Sequence, residues 1–213
     1  MIIFKFEKTS TSALAAHVDT LRAVTYVFRR AQLNVEYSQG FNPHMELGFS
    51  PPVALGVESS CEYVSAKMPL EQGTLGTQGL LERLNSVCPS GLKFTKVFEK
   101  NINLAAKINR ATYRVEACGI GDVVEEILAP NYEITYGERG VAVTKNVQNR
   151  IYNAQKVHSN CAFVTLAVGN DNLRPDRLVA HLMNKHNLEG DYKIIKTESF
   201  VDVTPTDEYL ENL

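Results

Sequence analysis

The stretch from Tyr37 to Glu58, YSQGFNPHMELGFSPPVALGVE, constrains this chain more than any other part of its sequence. Residues that break regular structure interrupt it at short intervals: Gly40, Asn42-Pro43, Gly48, Pro51-Pro52 and Gly56. They impose repeated turns and offer positions for positive φ, so the stretch cannot form one continuous strand. We expect a long irregular loop, which is either a functional loop or a structural segment that wraps a sheet edge.

Side chains suited to recognition lie between these breaks. Tyr37 and Phe41 can stack on a ligand, and His44 can donate, accept or titrate. Gly40 and Asn42 set the path of the backbone around them. We therefore take Tyr37, Gly40, Phe41, Asn42 and His44 as candidate binding residues.

Composition predicts an ordinary folded protein. The chain has 213 residues, 44% hydrophobic and 22% charged, with a formal net charge of −2. This length suits two small domains, and the balanced charge argues against indiscriminate nucleic-acid binding while leaving room for a local basic face. No apolar run approaches the length of a membrane span, so we expect a cytoplasmic protein without membrane contact.

The four cysteines, Cys61, Cys88, Cys118 and Cys161, are widely spaced and match no CxxC-type metal or redox motif. They are interpreted as reduced, mostly buried thiols. The sequence predicts neither a metal nor a cofactor bound by this chain.

The first half predicts alternating strands and helices. Ile2 to Lys8 alternates as a strand with one wet face, which carries Ile3, Lys5 and Glu7. A helix follows, with N-cap candidates in Thr9 to Ser12 and the apolar residues Leu14, Leu21, Val24 and Phe28 directed inward. Further elements follow the loop: a strand from Cys61 to Met68, a helix from Gly73 to Cys88 and a strand from Leu92 to Phe98.

The second half repeats this order with extra strands. It begins with a strand at Tyr113, a helix from Asp122 to Ala129 and a hairpin around Gly137 to Gly140. Strands from Ile151 to Val157 and from Cys161 to Val168 come next. A helix from Pro175 and a strand from Tyr192 to Val201 complete the order. The acidic tail to Leu213 is expected to fray. We predict an α+β fold of two ferredoxin-like (βαββαβ) halves packed together: residues 1–100, a linker at 101–110, and residues 111–213.

The first predicted helix presents two faces. His17 falls within its apolar stripe, where it is either a core histidine or lies at the open end of the helix and faces the loop. The opposite face carries Asp19, Arg22, Tyr26, Arg29 and Arg30. That face is either solvated surface, with Asp19 paired to Arg22, or a track for phosphates through Arg22, Arg29 and Arg30.

Three residues are candidates for catalysis. His17 and His44 could serve as general base and acid, with Glu58 orienting one of them. A metal site built from the same three residues has no local spacing motif to support it.

Several of these segments resemble the radical-SAM-associated (radical-SAM-linked) bacterial proteins. The resemblance rests on His17-Val18-Asp19, Arg29-Arg30-Ala31, the run from Tyr37 to His44, and Gly56-Val57-Glu58-Ser59. It implies a radical SAM protein as a partner and no reaction of its own. The CxxxCxxC motif of a radical SAM cluster is absent, so this chain cannot hold that cluster alone.

Three functions follow as hypotheses. The first is a non-catalytic accessory protein that works with a radical SAM enzyme and binds RNA or presents an RNA or ribosomal substrate. The second is a module that docks the radical SAM partner without nucleic acid. The third is a histidine-dependent RNA-processing hydrolase, because the predicted order also resembles, at fold level, the repeat-associated RNA-processing proteins of CRISPR systems.

Overall fold

A computed structural model describes residues 1–68, 76–138 and 140–213. The chain divides into two compact units, one formed by Met1–Ile108 with Thr204–Leu213 and the other by Asn109–Val203. Both units combine helices with antiparallel strands, which confirms the predicted α+β class. The predicted start of the second helix at Gly73 lies outside the described residues.

The regular elements follow in chain order. The helices are α1 (His17–Arg30), α2 (Gly76–Asn85), α3 (Ile120–Val123), α4 (Pro175–His186) and α5 (Thr206–Glu211). The strands are β1 (Ile2–Lys8), β2 (Leu47–Phe49), β3 (Glu58–Ala66), β4 (Leu92–Glu99), β5 (Arg110–Glu116), β6 (Glu133–Glu138), β7 (Val141–Asn146), β8 (Ile151–His158), β9 (Cys161–Ala167), β10 (Lys193–Val201) and β11 (Thr204–Pro205).

Within the first unit, β1 is the central strand. It pairs antiparallel with β4 on one side and with β3 on the other, and β2 pairs with β3, which gives the order β4-β1-β3-β2. Helix α1 packs on this sheet through Val24 and Phe28, both fully buried. The ring of Phe28 lies 5.1 Å from that of Phe4 and 5.7 Å from that of Phe94. Burying a phenylalanine contributes about 1.5–3 kcal/mol, so these three rings anchor the unit.

The prediction of one wet face for β1 is wrong. Ile3 is fully buried, and the Lys5 side chain is only 14% exposed. Lys5 Nζ lies 2.9 Å from an Asp207 carboxylate oxygen. Ile3 and Lys5 on that face are therefore largely shielded from water.

The expectation that the tail frays is also wrong. Residues 206–211 form α5, in which Thr206 and Leu210 are fully buried. The Asp207 carboxylate accepts hydrogen bonds from Tyr63 Oη at 2.6 Å and from the Lys5 ammonium at 2.9 Å. Buried apolar area and charge-assisted hydrogen bonds together hold the tail in place.

The helix predicted after Thr9 to Ser12 begins later than expected. Residues 10–14 form a short 3₁₀ helix instead, held by Ser12 Oγ, which donates to the Gly91 carbonyl oxygen at 2.6 Å. Helix α1 starts at His17 with Ala16 as its N-cap. Leu14 is consequently 70% exposed rather than directed inward, and Leu21 is half-buried.

The second unit is built around β5. Antiparallel pairs join β10 to β5, β5 to β9 and β9 to β8, which gives the order β10-β5-β9-β8. Helix α4 buries Leu178, Val179 and Leu182. The predicted hairpin is present as β6 and β7, which form a separate two-stranded sheet.

None of the helices within the described residues combines the length and the apolar character needed to cross a lipid bilayer.

Candidate functional site

The stretch that dominates the sequence contains a closed loop, residues 37–45, which we call the aromatic loop. Its two ends meet at an isolated antiparallel bridge between Tyr37 and Met45. Met45 is buried in the core of the first unit. Just outside the bridge, the Glu46 backbone N–H donates to the Glu36 carbonyl oxygen at 2.9 Å. These contacts anchor the loop ends to the core while the residues between them remain outside it.

Lys67 reinforces this base. Its backbone accepts from the Glu36 N–H at 2.7 Å and donates to the Glu46 carbonyl oxygen at 3.2 Å. Its ammonium lies 2.8 Å from a Glu36 carboxylate oxygen and 3.4 Å from a Glu46 carboxylate oxygen. The hydrogen bond to Glu36, followed by that to Glu46, raises the pKa of Lys67. The two acids at the loop base are therefore matched with a cation and leave less free negative charge beside the loop.

A serine–histidine pair closes the loop from within. Ser38 Oγ lies 2.8 Å from His44 Nδ1 and accepts a hydrogen bond from the His44 backbone N–H at 3.2 Å. The Ser38 N–H in turn donates to the His44 carbonyl oxygen at 2.8 Å. His44 is exposed, yet the contact at Nδ1 orients its ring and the other two contacts hold its backbone.

The turn between Ser38 and His44 depends on Gly40 and displays Phe41. Gly40 has a φ of 139°, a conformation that residues with a Cβ atom rarely adopt. Phe41 is 105% exposed, so its whole side chain projects into solvent. Tyr37 at the loop base is 40% exposed, and Asn42 is exposed. All five predicted loop residues thus lie on one short, hydrogen-bonded segment.

The predicted cations lie on the exposed side of α1. Arg22, Arg29 and Arg30 are all exposed. Arg22 Nη1 lies 3.4 Å from an Asp19 carboxylate oxygen, one helical turn away, as the sequence predicted. Arg22 and Arg29 line a shallow groove along the helix together with Tyr26, which is 61% exposed. The face therefore offers both guanidinium groups and apolar area to a ligand.

His17 is the first residue of α1 and is exposed, which excludes its interpretation as a core histidine. Its ring meets the ring of Phe49 edge-on, with 6.0 Å between the centroids. Partial burial lowers the pKa of His17, opposed by the carboxylate of Glu62. His17 thus contacts the stretch Tyr37 to Glu58 through Phe49.

Glu58 has a structural contact near the 3₁₀ helix. Its carboxylate accepts a hydrogen bond from the Ser10 backbone N–H at 3.2 Å. Within the part of the chain that is described, no group of three or more His, Cys, Asp or Glu side chains could hold a metal ion. His17, His44 and Glu58 therefore do not form the metal site considered above.

Sequence reasoning missed a polar cluster in the second unit. The Glu126 carboxylate accepts hydrogen bonds from Tyr132 Oη at 2.7 Å and Lys185 Nζ at 2.9 Å, and it lies 2.7 Å from His186 Nε2. Burial raises the pKa of Glu126, but these three contacts outweigh that effect and hold the pKa below its usual value. Lys185 and His186 end α4, about sixty positions after Glu126, so no local spacing could have revealed the cluster.

The fold and the loop define a two-unit α+β protein that carries a hydrogen-bonded, solvent-exposed aromatic loop. Residues 1–175 match the family described as "uncharacterized protein conserved in bacteria (DUF2344)", and the chain belongs to this family. No curated protein matches the chain. The matched residues include all of the aromatic loop and α1.

Proposed function

We propose that this protein is a non-catalytic accessory protein of a radical SAM enzyme, and that it binds RNA or presents an RNA or ribosomal substrate to that enzyme. The radical SAM partner is inferred from the resemblance of the segments His17 to Asp19 and Tyr37 to His44 to the radical-SAM-linked proteins. The RNA is inferred from the chemistry of the aromatic loop and α1.

We also propose a ferredoxin-like topology for each unit. The first unit has the strand order β4-β1-β3-β2 with α1 and α2 between its strands. The second has the order β10-β5-β9-β8, with the β6-β7 hairpin inserted before β8. Both orders support the βαββαβ arrangement, but a shared fold does not carry a function.

The full exposure of Phe41 is the observation that carries the proposed function. A phenylalanine that projects entirely into water adds nothing to the core, yet here the surrounding loop is closed by the Ser38–His44 contacts. A fixed loop lowers the entropy lost on binding, and an aromatic ring can stack on any unpaired base. The combination suits recognition of single-stranded RNA.

The arginines of α1 supply the second requirement of RNA binding, which is positive charge. Arg29 and Arg30 occupy the last turn of α1, and both are exposed. Of the three predicted phosphate contacts, Arg22 shares its guanidinium with Asp19. We therefore assign the larger share of phosphate binding to Arg29 and Arg30.

A docking module without nucleic acid is the second candidate function, and one observation favours it. Val18 and Tyr26 of α1 are 54% and 61% exposed, and Leu14, at the end of the preceding 3₁₀ helix, is 70% exposed. Exposed apolar side chains suit a protein surface as well as a nucleobase.

An RNA-binding experiment separates these functions. Fluorescence anisotropy of a labelled single-stranded RNA at low salt would compare the full chain with Phe41→Ala and with Arg29→Gln/Arg30→Gln. Leu55→Ala is the matched control, because Leu55 is 64% exposed and lies outside the aromatic loop. Losing one stacked base costs about 1–3 kcal/mol, so Phe41→Ala should weaken binding roughly fivefold or more. The free energy of unfolding should change by less than about 0.5 kcal/mol.

Two results would count against the RNA function: no salt-dependent binding by the unmodified chain, or equal affinity of Phe41→Ala and Leu55→Ala. The docking module would be established instead if the unmodified chain binds no RNA but captures an iron–sulfur protein that cleaves S-adenosylmethionine, and if Phe41→Ala loses this capture. RNA cleavage by the isolated chain, abolished in His44→Ala, would establish the histidine-dependent hydrolase.

A further inference from the structure

The second unit contains a cavity whose walls are strongly basic. It lies between the β6-β7 hairpin, the turn before β8 and the start of α4, and its volume is about 190 Å³. Lys145, Arg150, Arg174 and Arg177 line it, and none of its described lining residues is acidic. Its floor is apolar, because Ile134, Val147 and Leu173 are all buried.

Two of the four cations are held in place by neighbours. The Arg174 guanidinium binds the Asp176 carboxylate with two contacts, at 3.1 Å and 2.6 Å. The Arg177 guanidinium lies 3.8 Å from a Glu138 carboxylate oxygen and 4.1 Å from the centre of the Tyr136 ring, which also lines the cavity. Side chains fixed in this way lose little further entropy when a ligand binds.

The other two cations have no counter-charge among the described residues. Lys145 Nζ lies 5.9 Å from the Tyr136 ring centre, and neither Lys145 nor Arg150 has a carboxylate within 4.0 Å in the described parts of the chain. Like charges around one cavity repel each other, and an anion placed between them removes that cost. Two uncompensated positive charges match the charge of a phosphate group.

A second cavity of about 310 Å³ adjoins the first and shares Val147 and Arg150 with it. Arg150 therefore lies where the two cavities meet. Asp171 lines the second cavity and opposes a phosphate there, so the anionic group is expected in the first cavity, beside Arg150.

We propose that this basic cavity of the second unit is a phosphate-binding site, which takes a phosphate group of an RNA strand or of a free nucleotide. Arginine forks bind phosphate oxygens in pairs, and Lys145 adds a point charge. The site shares no residue with the aromatic loop; as a nucleotide site it goes beyond the proposed function, and as an RNA site it rests on it.

The test uses the full chain and three probes: inorganic pyrophosphate, adenosine triphosphate and a short oligouridylate. The variant Lys145→Gln/Arg150→Gln removes the two uncompensated cations, and Lys93→Gln is the control, an exposed lysine of β4 that does not line the cavity. We expect the double variant to lose about tenfold or more in affinity for the probe that binds, because charge-assisted hydrogen bonds are lost. For the oligouridylate, the salt dependence should also decrease by about 1.4 in log–log slope.

The three probes identify the source of the phosphate. Pyrophosphate or triphosphate binding that depends on the two cations assigns the site to a free nucleotide, and oligouridylate binding alone assigns it to RNA. Absence of binding to all three probes, or equal affinity of the double variant and Lys93→Gln, overturns the proposal. The exposed single variant Lys145→Gln repeats the test if the double variant is unfolded. RNA binding that is lost in Phe41→Ala but kept in the double variant would support the aromatic loop and reject the RNA assignment of this site, which then depends on the pyrophosphate and triphosphate results.

Discussion

Replacing Asp207 by asparagine is expected to lower the free energy of unfolding by about 2 kcal/mol at pH 7. Lys96, Lys5 and Tyr63 lie in one row across β4, β1 and β3, since Lys5 is the register partner of both other residues. The Asp207 carboxylate contacts all three, at 2.9, 2.9 and 2.6 Å respectively. This one side chain therefore fixes the tail to three strands.

The magnitude follows from how deeply each partner is buried. Tyr63 is 1% exposed and the Lys5 side chain is 14% exposed, so their contacts are shielded from water. A hydrogen bond to a charged group is worth about 1.5–3 kcal/mol and a neutral one about 0.5–1.5, so removing the charge costs about 1 kcal/mol for each of these two bonds. The Lys96 side chain is 47% exposed, and its contribution is small.

The pH dependence gives a second, independent measurement. Burial raises the pKa of Asp207, but the hydrogen bonds from Tyr63, Lys96 and Lys5 outweigh it and lower the pKa below its ordinary value. The stability that this charge contributes is thus fully present above the unfolded-state pKa, about 3.9, and is lost as the pH falls through the folded-state pKa. The difference between the unmodified chain and Asp207→Asn should accordingly shrink in that range.

Urea unfolding at a series of pH values measures both effects. Glu211→Gln is the matched control in the same helix, because Glu211 is exposed and contacts only the Lys96 ammonium, at 3.4 Å, among the described ion pairs. Its effect should stay below about 0.5 kcal/mol. If Asp207→Asn is no more destabilising than this control, or if its effect does not diminish in acid, the tail is not anchored by this carboxylate.

Two further outcomes are expected. Gly121→Ala should destabilise the second unit by about 1–3 kcal/mol or more, since the new Cβ atom would lie 2.0 Å from the His158 carbonyl oxygen. Gly137→Ala is the control, because nothing lies within 4 Å of the Cβ atom added there. Equal stability of the two variants would contradict the close approach at Gly121. Burial raises the pKa of the Cys88 thiol to about 11, whereas Cys118 is exposed. Iodoacetamide at pH 8 should therefore modify Cys118 well before Cys88, which peptide mass spectrometry would measure. The reverse order of modification would contradict the structure.

Local patterns in the sequence predicted most of the regular elements. Alternation identified β1 with its bounds, Ile2–Lys8, and turn residues identified the β6-β7 hairpin. Pro175 followed by Asp176 correctly indicated the start of α4. These signals succeed because backbone preference and side-chain period are properties of a few neighbouring residues.

The candidate loop was also accessible to sequence reasoning, but its geometry was not. Glycine and proline spacing predicted an irregular segment, and Gly40 does adopt a positive φ. The pairing of Ser38 with His44 and the complete exposure of Phe41 emerged only from the structure. Turn residues limit the path of a chain, whereas the contacts across a turn depend on where its ends are anchored.

Only the tertiary structure decided which faces are buried and which distant side chains meet. The alternation of β1 could not show that Ile3 is covered, nor could the acidic composition of the tail show that Asp207 binds Lys5. The basic cavity likewise brings together Lys145 of β7 and Arg177 of α4, which are far apart in the sequence. Burial and charge pairing depend on distances in space, and these are set by how strands and helices pack rather than by the preferences of any short segment.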